Sequence, residues 1–247
     1  MELEPDAAPG VHRVEDAYTN WYLVEDGDRE LVAVDAGVRS SWGSLRSALP
    51  QIGRQLSDLS SVVLTHAHFD HLGFAERARR ELGVEVWVHE NDVPLAHHPM
   101  QYAHERSRLP YLANPKAMPI MAALLSSRAF WPTPVKQLRR YGQEEVRLPA
   151  GLQAVFTPGH TLGHCALHLP DRDALIAGDA IVTLDPYTAA AGPRIVAGAA
   201  TADSERALAS LDALAATDAA TVLTGHGPVW RQGAQAMAEA GRRAGAG

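Results

Sequence analysis

The sequence predicts an α/β domain built in layers. Two observations carry that expectation: five short apolar runs each stop on an aspartate or a histidine, and the stretches between them place apolar residues at helical spacing with charged residues on the opposite face. A third bounds the size. With 247 residues and 46% hydrophobic content the chain can bury a full core, and we read one domain over residues 1–247.

Taken in order, the stretch from Trp21 to Gly37 reads as two strands joined by a turn at Asp26-Gly27-Asp28, the second ending at Asp35-Ala36-Gly37. Ser40 or Ser41 is expected to cap a helix carrying Trp42, Leu45, Leu49 and Ile52. The β-branched run beginning at Ser60 stops at His66. After Gly73, Phe74, Ala78 and Leu82 form an apolar stripe, with Glu76, Arg77, Arg79 and Arg80 expected outward. From Asn91 to about Tyr141 the pattern breaks: prolines stand at 94, 99, 110, 115, 119, 132 and 134, and no strand-like alternation is visible. This segment reads as a mostly helical insertion, a cap over the functional edge. Its Trp131 and Tyr111 are expected to shape substrate choice.

Three more strands follow. One runs from Leu152 to Pro158-Gly159-His160, one from Asp173 to Gly178-Asp179, and one from Ala219 to Gly225-His226-Gly227, while alternation near Cys165 suggests the start of another. Asp203 is placed to cap a helix whose buried stripe is Leu208, Leu211 and Leu214. Glycine beside the polar residue lets the backbone turn sharply and approach a shared centre.

The densest chemistry lies in Thr65–Gly73, THAHFDHLG, where His66, His68, Asp70 and His71 fall within six positions. Spacings of two, two and one cannot share a helix face, on which neighbours are three or four apart. On a loop behind a strand, His66 and His68 can turn to one point and Asp70 and His71 to another. Imidazole and carboxylate suit zinc, iron or manganese, and such clustering points to a metal site.

Composition excludes other classes. The net charge of −7, with no run of Lys or Arg, argues against nucleic acid as a partner. No 18 apolar residues run uninterrupted and the N-terminal stretch lacks the apolar core of a secretory signal, so the expected location is cytoplasmic, without membrane contact. Cys165 is the single cysteine, which rules out an internal disulfide and a Cys-rich zinc site. Any metal must be held by nitrogen and oxygen.

In order, Asp35, HAHFDH (66–71), PGHTLGH (158–164), AGD (177–179) and TGHGP (224–228) resemble the metallo-β-lactamase superfamily of metallohydrolases, over about residues 11 to 230. The resemblance implies a four-layer αββα sandwich with metals at one edge. It implies that His66, His68 and His160 hold one metal, that Asp70, His71 and His226 hold a second, and that Asp179 bridges both. Asp35 would stand behind them and orient the loop. Members that hydrolyse β-lactams lack the bridging aspartate, so Asp179 places this chain nearer the glyoxalase II and lactonase side. Two departures keep the substrate open. The chain ends about twenty residues after His226, without the helical domain of glyoxalase II, and position 182 is Val where the lactonases carry a nearby tyrosine, Tyr187 being the nearest candidate.

The function so implied is a dinuclear hydrolase in which a metal-bound hydroxide, oriented by Asp70 as catalytic residue, attacks an ester, thioester or lactone. Its cofactors are two divalent ions, zinc first, with iron or manganese as alternatives. Its partner is a small-molecule substrate with an apolar part; the oligomeric state is not legible. The alternatives are a mononuclear iron enzyme of the persulfide dioxygenase type, using His66, His160 and Asp179, and a non-catalytic binding protein. The latter would show eroded ligands, and all seven are present. His164 reads either as support for the metal shell or substrate, or as a local loop hydrogen bond. Cys165 reads as a small packed residue, and His12, His89, His97, His98, His104 and His168 as packing or surface histidines.

Overall fold

The computed structural model describes residues 1–27, 29–142 and 147–245. Seven strands form one sheet in sequence order: β1 (Glu2–Ala8), β2 (Val11–Asp16), β3 (Thr19–Asp26), β4 (Glu30–Val34), β5 (Leu59–Val63), β6 (Glu85–His89) and β7 (Arg139–Tyr141). Neighbours are antiparallel from β1 to β4 and parallel from β4 to β7. The second sheet contains β8 (Gln153–Phe156), β9 (Cys165–Leu169) and β10 (Ala174–Gly178). Strands β11 (Val182–Leu184) and β12 (Ala191–Arg194) make a small hairpin, after which β13 (Thr221–Thr224) joins the second sheet in parallel beside β10.

Period-two alternation explains the layering. In β3 and β4, Tyr22, Val24, Val32 and Val34 face the second sheet, where they pack with Leu167, Ile176 and Leu223. Trp21, Leu23, Leu31 and Ala33 face the other way, against Trp42 and Leu45 of α1 (Ser41–Ala48) and Ala75 and Ala78 of α2 (Ala75–Leu82). The second sheet does the same. Ala166, Leu175 and Ala177 pack outward against α6 and α7, which follow the three helices of the insertion: α3 (Val93–His97), α4 (Leu109–Leu112), α5 (Met118–Ser126), then α6 (Ser204–Ala215) and α7 (Ala234–Ala244). Strands covered on both faces read as near-continuous apolar runs, and each large apolar side chain so buried contributes roughly 1.5–3 kcal/mol. The result is the αββα sandwich.

Several local expectations need correction. The β3–β4 turn forms as expected at Asp26 and Gly27, with φ of 65° at Gly27, while Asp28 lies outside the described residues. Leu49 and Ile52 are not in α1 but in a following 3₁₀ turn, because Pro50 cannot donate to an α-helical ladder. Neither serine caps α1 through its side chain; the Ser41 hydroxyl instead donates to Asp16 at 2.9 Å. Glu76 does not face solvent. It is buried, receiving Arg79 Nε and Nη2 at 2.9 Å each and the Lys136 amide at 3.1 Å. Asp203 caps α6 as expected, accepting the Arg206 amide at 2.8 Å. In the insertion, Pro94, Pro110 and Pro119 stand in the first turn of α3, α4 and α5, where the missing N–H has no partner to lose. Much of the segment is nevertheless irregular rather than helical, and its last residues form β7 beside β6. Among the described residues no helix is long and apolar enough to cross a membrane.

Candidate metal centre

Parallel pairing brings strand ends together. The C-terminal ends of β4, β5 and β6 share one edge of the first sheet, as do those of β10 and β13 in the second. Asp35 follows β4, the His66–His71 loop follows β5, Asp179 follows β10 and His226 follows β13. The two edges are tied across the sandwich by β3: the Tyr22 hydroxyl and Asn20 Nδ2 both donate to the Thr224 carbonyl, at 2.6 and 2.8 Å. Close approach demands glycine at two places. A Cβ on Gly225 would stand 2.0 Å from Asp179 Oδ1, and Gly178, at φ +51°, lies against Thr65 and His164.

The side chains converge in two groups. The ligand atoms of His66, His68 and His160 lie within 4.8 Å of one another, and so do those of Asp70, His71 and His226. Asp179 stands between them: its Oδ2 is 3.4 Å from His160 Nε2 and 3.3 Å from His226 Nε2, and its Oδ1 is 3.7 Å from His71 Nε2. Asp35 is also close to His66 and His71, but its oxygens are engaged. Oδ1 accepts the Thr65 amide at 2.8 Å, and His71 Nδ1 donates to Oδ2 at 3.0 Å. Asp35 holds this geometry at φ 60°, in the left-handed region.

Other partners fix His66, His160 and His226 from behind. His226 Nδ1 donates to the Tyr18 carbonyl at 2.7 Å, while His66 Nδ1 meets the Thr65 hydroxyl at 3.0 Å and His160 Nδ1 the Thr201 hydroxyl at 3.4 Å. Each ring therefore turns Nε2 inward. The Nε2 atoms of His66, His68, His71 and His160 and Oδ1 of Asp179 are buried without any hydrogen-bond partner. Since buried polar atoms are almost always paired, five such atoms gathered in these two adjoining groups form a donor set that suits cations.

Electrostatics agrees. Burial pushes His66 and His68 well below the usual imidazole range, and His160 down to about 4, so these rings are neutral and keep a free lone pair. Burial also opposes charge on His71, but Asp179 and the hydrogen bond that the ring donates to Asp35 outweigh it and hold the ring up to about 10, so a metal bound at Nε2 would displace its proton. Asp179 stays ionised well below its usual value because His226 and His71 overcome its burial, whereas burial raises Asp70.

Two supporting residues were not resolved by sequence reasoning. His164 is fully buried; its Nε2 accepts the Asp179 amide at 3.0 Å and its Nδ1 donates to Thr157 Oγ1 at 2.9 Å, so it is at once a local hydrogen bond and the support of Asp179. Asp92, just after β6, accepts the amides of Ala67 and Gly163 at 3.0 and 2.8 Å and the Thr161 hydroxyl at 2.8 Å. One carboxylate thus braces the loops that carry His66, His68 and His160. In sequence, Asp92 offers only the look of a residue before a short helix.

Two cavities border the centre. The larger, of about 280 Å³, touches His68, His160, Asn91, His98, Gln101 and Tyr102. The smaller, of about 30 Å³, touches Asp70, Asp179, His226, Phe69, Met121, Leu124, Phe130, Tyr102 and Tyr187. The insertion therefore does reach the centre, through Tyr102, Met121, Leu124 and Phe130. Trp131 and Tyr111, expected to do so, border neither cavity; Trp131 is 55% exposed, and Tyr111 packs edge-on against Tyr187 at 5.9 Å.

The chain matches the sequence profile of the metallo-beta-lactamase superfamily over residues 14–226 and belongs to that family. Among its relatives is a probable metallo-hydrolase, YflN of Bacillus subtilis, 29% identical over 238 residues that cover 90% of this chain and 85% of the relative. Solved structures agree in fold and coverage. The metallo-beta-lactamase family protein TTHA1429 of Thermus thermophilus superposes with a TM-score of 0.66 at 27% identity, covering 94% of this chain and 77% of that one. TTHA1623, solved in a di-iron-bound form, superposes with a TM-score of 0.57 at 26% identity, covering 89% and 93%.

Proposed function

We propose that this chain is a dinuclear metal-dependent hydrolase that cleaves a small acyl compound, an ester, thioester or lactone, on the glyoxalase II and lactonase side of the superfamily. The observation that carries the reading is the set of buried, unpartnered atoms that face one another: Nε2 of His66, His68, His71 and His160, and Oδ1 of Asp179. His66, His68 and His160 would hold one ion, Asp70, His71 and His226 the other, and Asp179 would touch both. Zinc, iron and manganese all suit this donor set. Two such ions supply Lewis-acid polarisation of the acyl carbonyl and a bound water acidic enough to react near neutral pH.

The remaining work falls to the chain. Asp70 borders the smaller cavity, where its carboxylate can accept a hydrogen bond from the attacking water and aim it. The water oxygen bonds to the acyl carbon, the acyl–oxygen or acyl–sulfur bond breaks, and a proton passes to the departing alcohol or thiol. Phe69, Met121, Leu124 and Phe130 present apolar surface to the apolar part of the substrate. A cysteine nucleophile has no part in this chemistry, since Cys165 is buried and burial pushes its thiol up, away from the reactive thiolate.

Elemental analysis of protein purified without added metal, followed by a screen of esters, thioesters and lactones, tests the reading. Two divalent ions per chain and turnover of an acyl substrate are expected. One iron per chain with oxygen consumption, or no acyl turnover by fully metallated protein, would overturn it.

A further inference from the structure

Tyr102 borders both cavities. Its ring is 8% exposed and packs on His68 with centroids 4.6 Å apart, tilted by 53°. On the far side its hydroxyl lies 3.1 Å from that of Tyr187, and the Arg108 guanidinium sits over its ring at 4.2 Å. A side chain held at ring, hydroxyl and face in this way is a fixed wall. It packs on a residue of the metal centre and borders both cavities that reach that centre, so a substrate that spans the two lies partly on each side of it.

The two sides differ in size and chemistry. The inner chamber, about 30 Å³, has room for on the order of two water-sized groups. Its walls beyond the centre are apolar, Phe69, Met121, Leu124 and Phe130 among them, apart from the phenols of Tyr102 and Tyr187, whose hydroxyls lie against each other. The outer cleft, about 280 Å³, approaches the size of a small-molecule site. Its polar residues beyond the centre include Asn91, His98 and Gln101; among the described residues no Lys or Arg borders it, and its one carboxylate outside the centre, Asp92, is already occupied by three donors. The cleft thus offers a substrate hydrogen-bonding side chains, with no Lys, Arg or unoccupied carboxylate among the described residues.

We propose that Tyr102 is a specificity-determining partition, and that the substrate is an uncharged, open-chain ester or thioester with a very short acyl part inside and a larger, hydrogen-bonding alcohol or thiol part outside. This rests on the hydrolase reading and narrows it. A lactone joins its two parts in one ring and cannot straddle a wall, so it fits less well than an open ester. The acyl part lies inside because the inner chamber is the more enclosed of the two, and the departing alcohol or thiol leaves first, through the more open cleft.

The test is a chain-length profile on p-nitrophenyl acetate, butyrate and hexanoate with metal-replete protein, together with metal content and melting temperature. In the parent, kcat/KM should fall by at least about tenfold from acetate to hexanoate, the scale at which a pocket discriminates added methylenes. Tyr102→Ala joins the chambers and should raise hexanoate turnover toward that of acetate, whereas Tyr102→Phe keeps the ring and should keep the acetate preference. Met121→Ala enlarges the inner chamber from its other wall and should extend tolerance to butyrate even if Tyr102→Ala fails to fold. Binding gives a second readout: hexanoate should shift the melting temperature of the enlarged variants more than that of the parent. A parent that cleaves hexanoate as well as acetate, or enlarged variants with an unchanged profile, overturns the partition and leaves the hydrolase reading standing. A parent that cleaves no ester or thioester overturns the partition, and one that cleaves no lactone either overturns the hydrolase reading with it.

Discussion

His164 holds Asp179 by its backbone: the Asp179 amide donates to His164 Nε2 at 3.0 Å, and the opposite ring nitrogen is tied to Thr157 Oγ1 at 2.9 Å. The ring is therefore a neutral imidazole protonated on Nδ1. Its burial, which drives its pKa down to about 3, keeps it so. Replacing it with Ala leaves the buried Asp179 amide without a partner, at a cost of about 1–3 kcal/mol. The carboxylate between the two ligand groups then loses its anchor, and metal affinity should fall by roughly 10–100-fold. Zinc titration and thermal melting of His164→Ala check this; unchanged affinity and stability together would remove His164 from the support of the centre.

Asp179 itself should be indispensable. Its two oxygens face His71, His160 and His226, whereas Asp70, the other carboxylate of the two ligand groups, lies on the His71 and His226 side alone. Asp179→Ala, and likewise His160→Ala, should lose metal and activity together. Full occupancy by two ions with normal turnover in Asp179→Ala would end the dinuclear reading.

Asp70 should separate catalysis from folding. Asp70→Asn keeps the side-chain volume and one oxygen, so melting temperature should change little. Turnover should drop by on the order of a hundredfold or more, the scale of a positioned catalytic group. An unchanged rate with both ions bound would make Asp70 a ligand only.

Asp92 should act through position and pH. Asp92→Ala removes the acceptor of three buried donors, each costing about 1–3 kcal/mol if left unmatched, and frees the loops of His66, His68 and His160 from one another. Burial raises the folded-state pKa of Asp92 to about 6, above its unfolded value. Between the two values the folded chain binds more protons than the unfolded chain. This carboxyl's contribution to stability is therefore greatest below the unfolded value and declines as pH rises through the window to about 6. Asp92→Asn, which does not titrate, should lose ground to the parent as pH is lowered through that window in chemical denaturation. A stability difference independent of pH would show that Asp92 does not titrate there.

Sequence by itself determined the class of fold and named the residues that gather at the candidate centre. His66, His68, Asp70, His71, His160, Asp179 and His226 announce themselves because each stands at the end of an apolar run beside a turn, a pattern confined to a few adjacent residues. Alternation along β3, β4 and β10 is equally local, and it decides which side chains each layer buries. Tertiary structure alone decided the rest. Asp92 meets Thr161 across 69 positions, Tyr102 meets Tyr187 across 85, and the Tyr22 hydroxyl meets Thr224 across 202. Nothing in the neighbourhood of either partner encodes such a meeting. Glu76 shows the same limit: on a helix rich in arginine it reads as solvent-facing, and only the approach of the Lys136 backbone and Arg79 makes a buried carboxylate tolerable. The identity of a candidate ligand is written in its residue type and its neighbours, but the walls around the centre are made from side chains brought together by packing, and packing has no short-range signature.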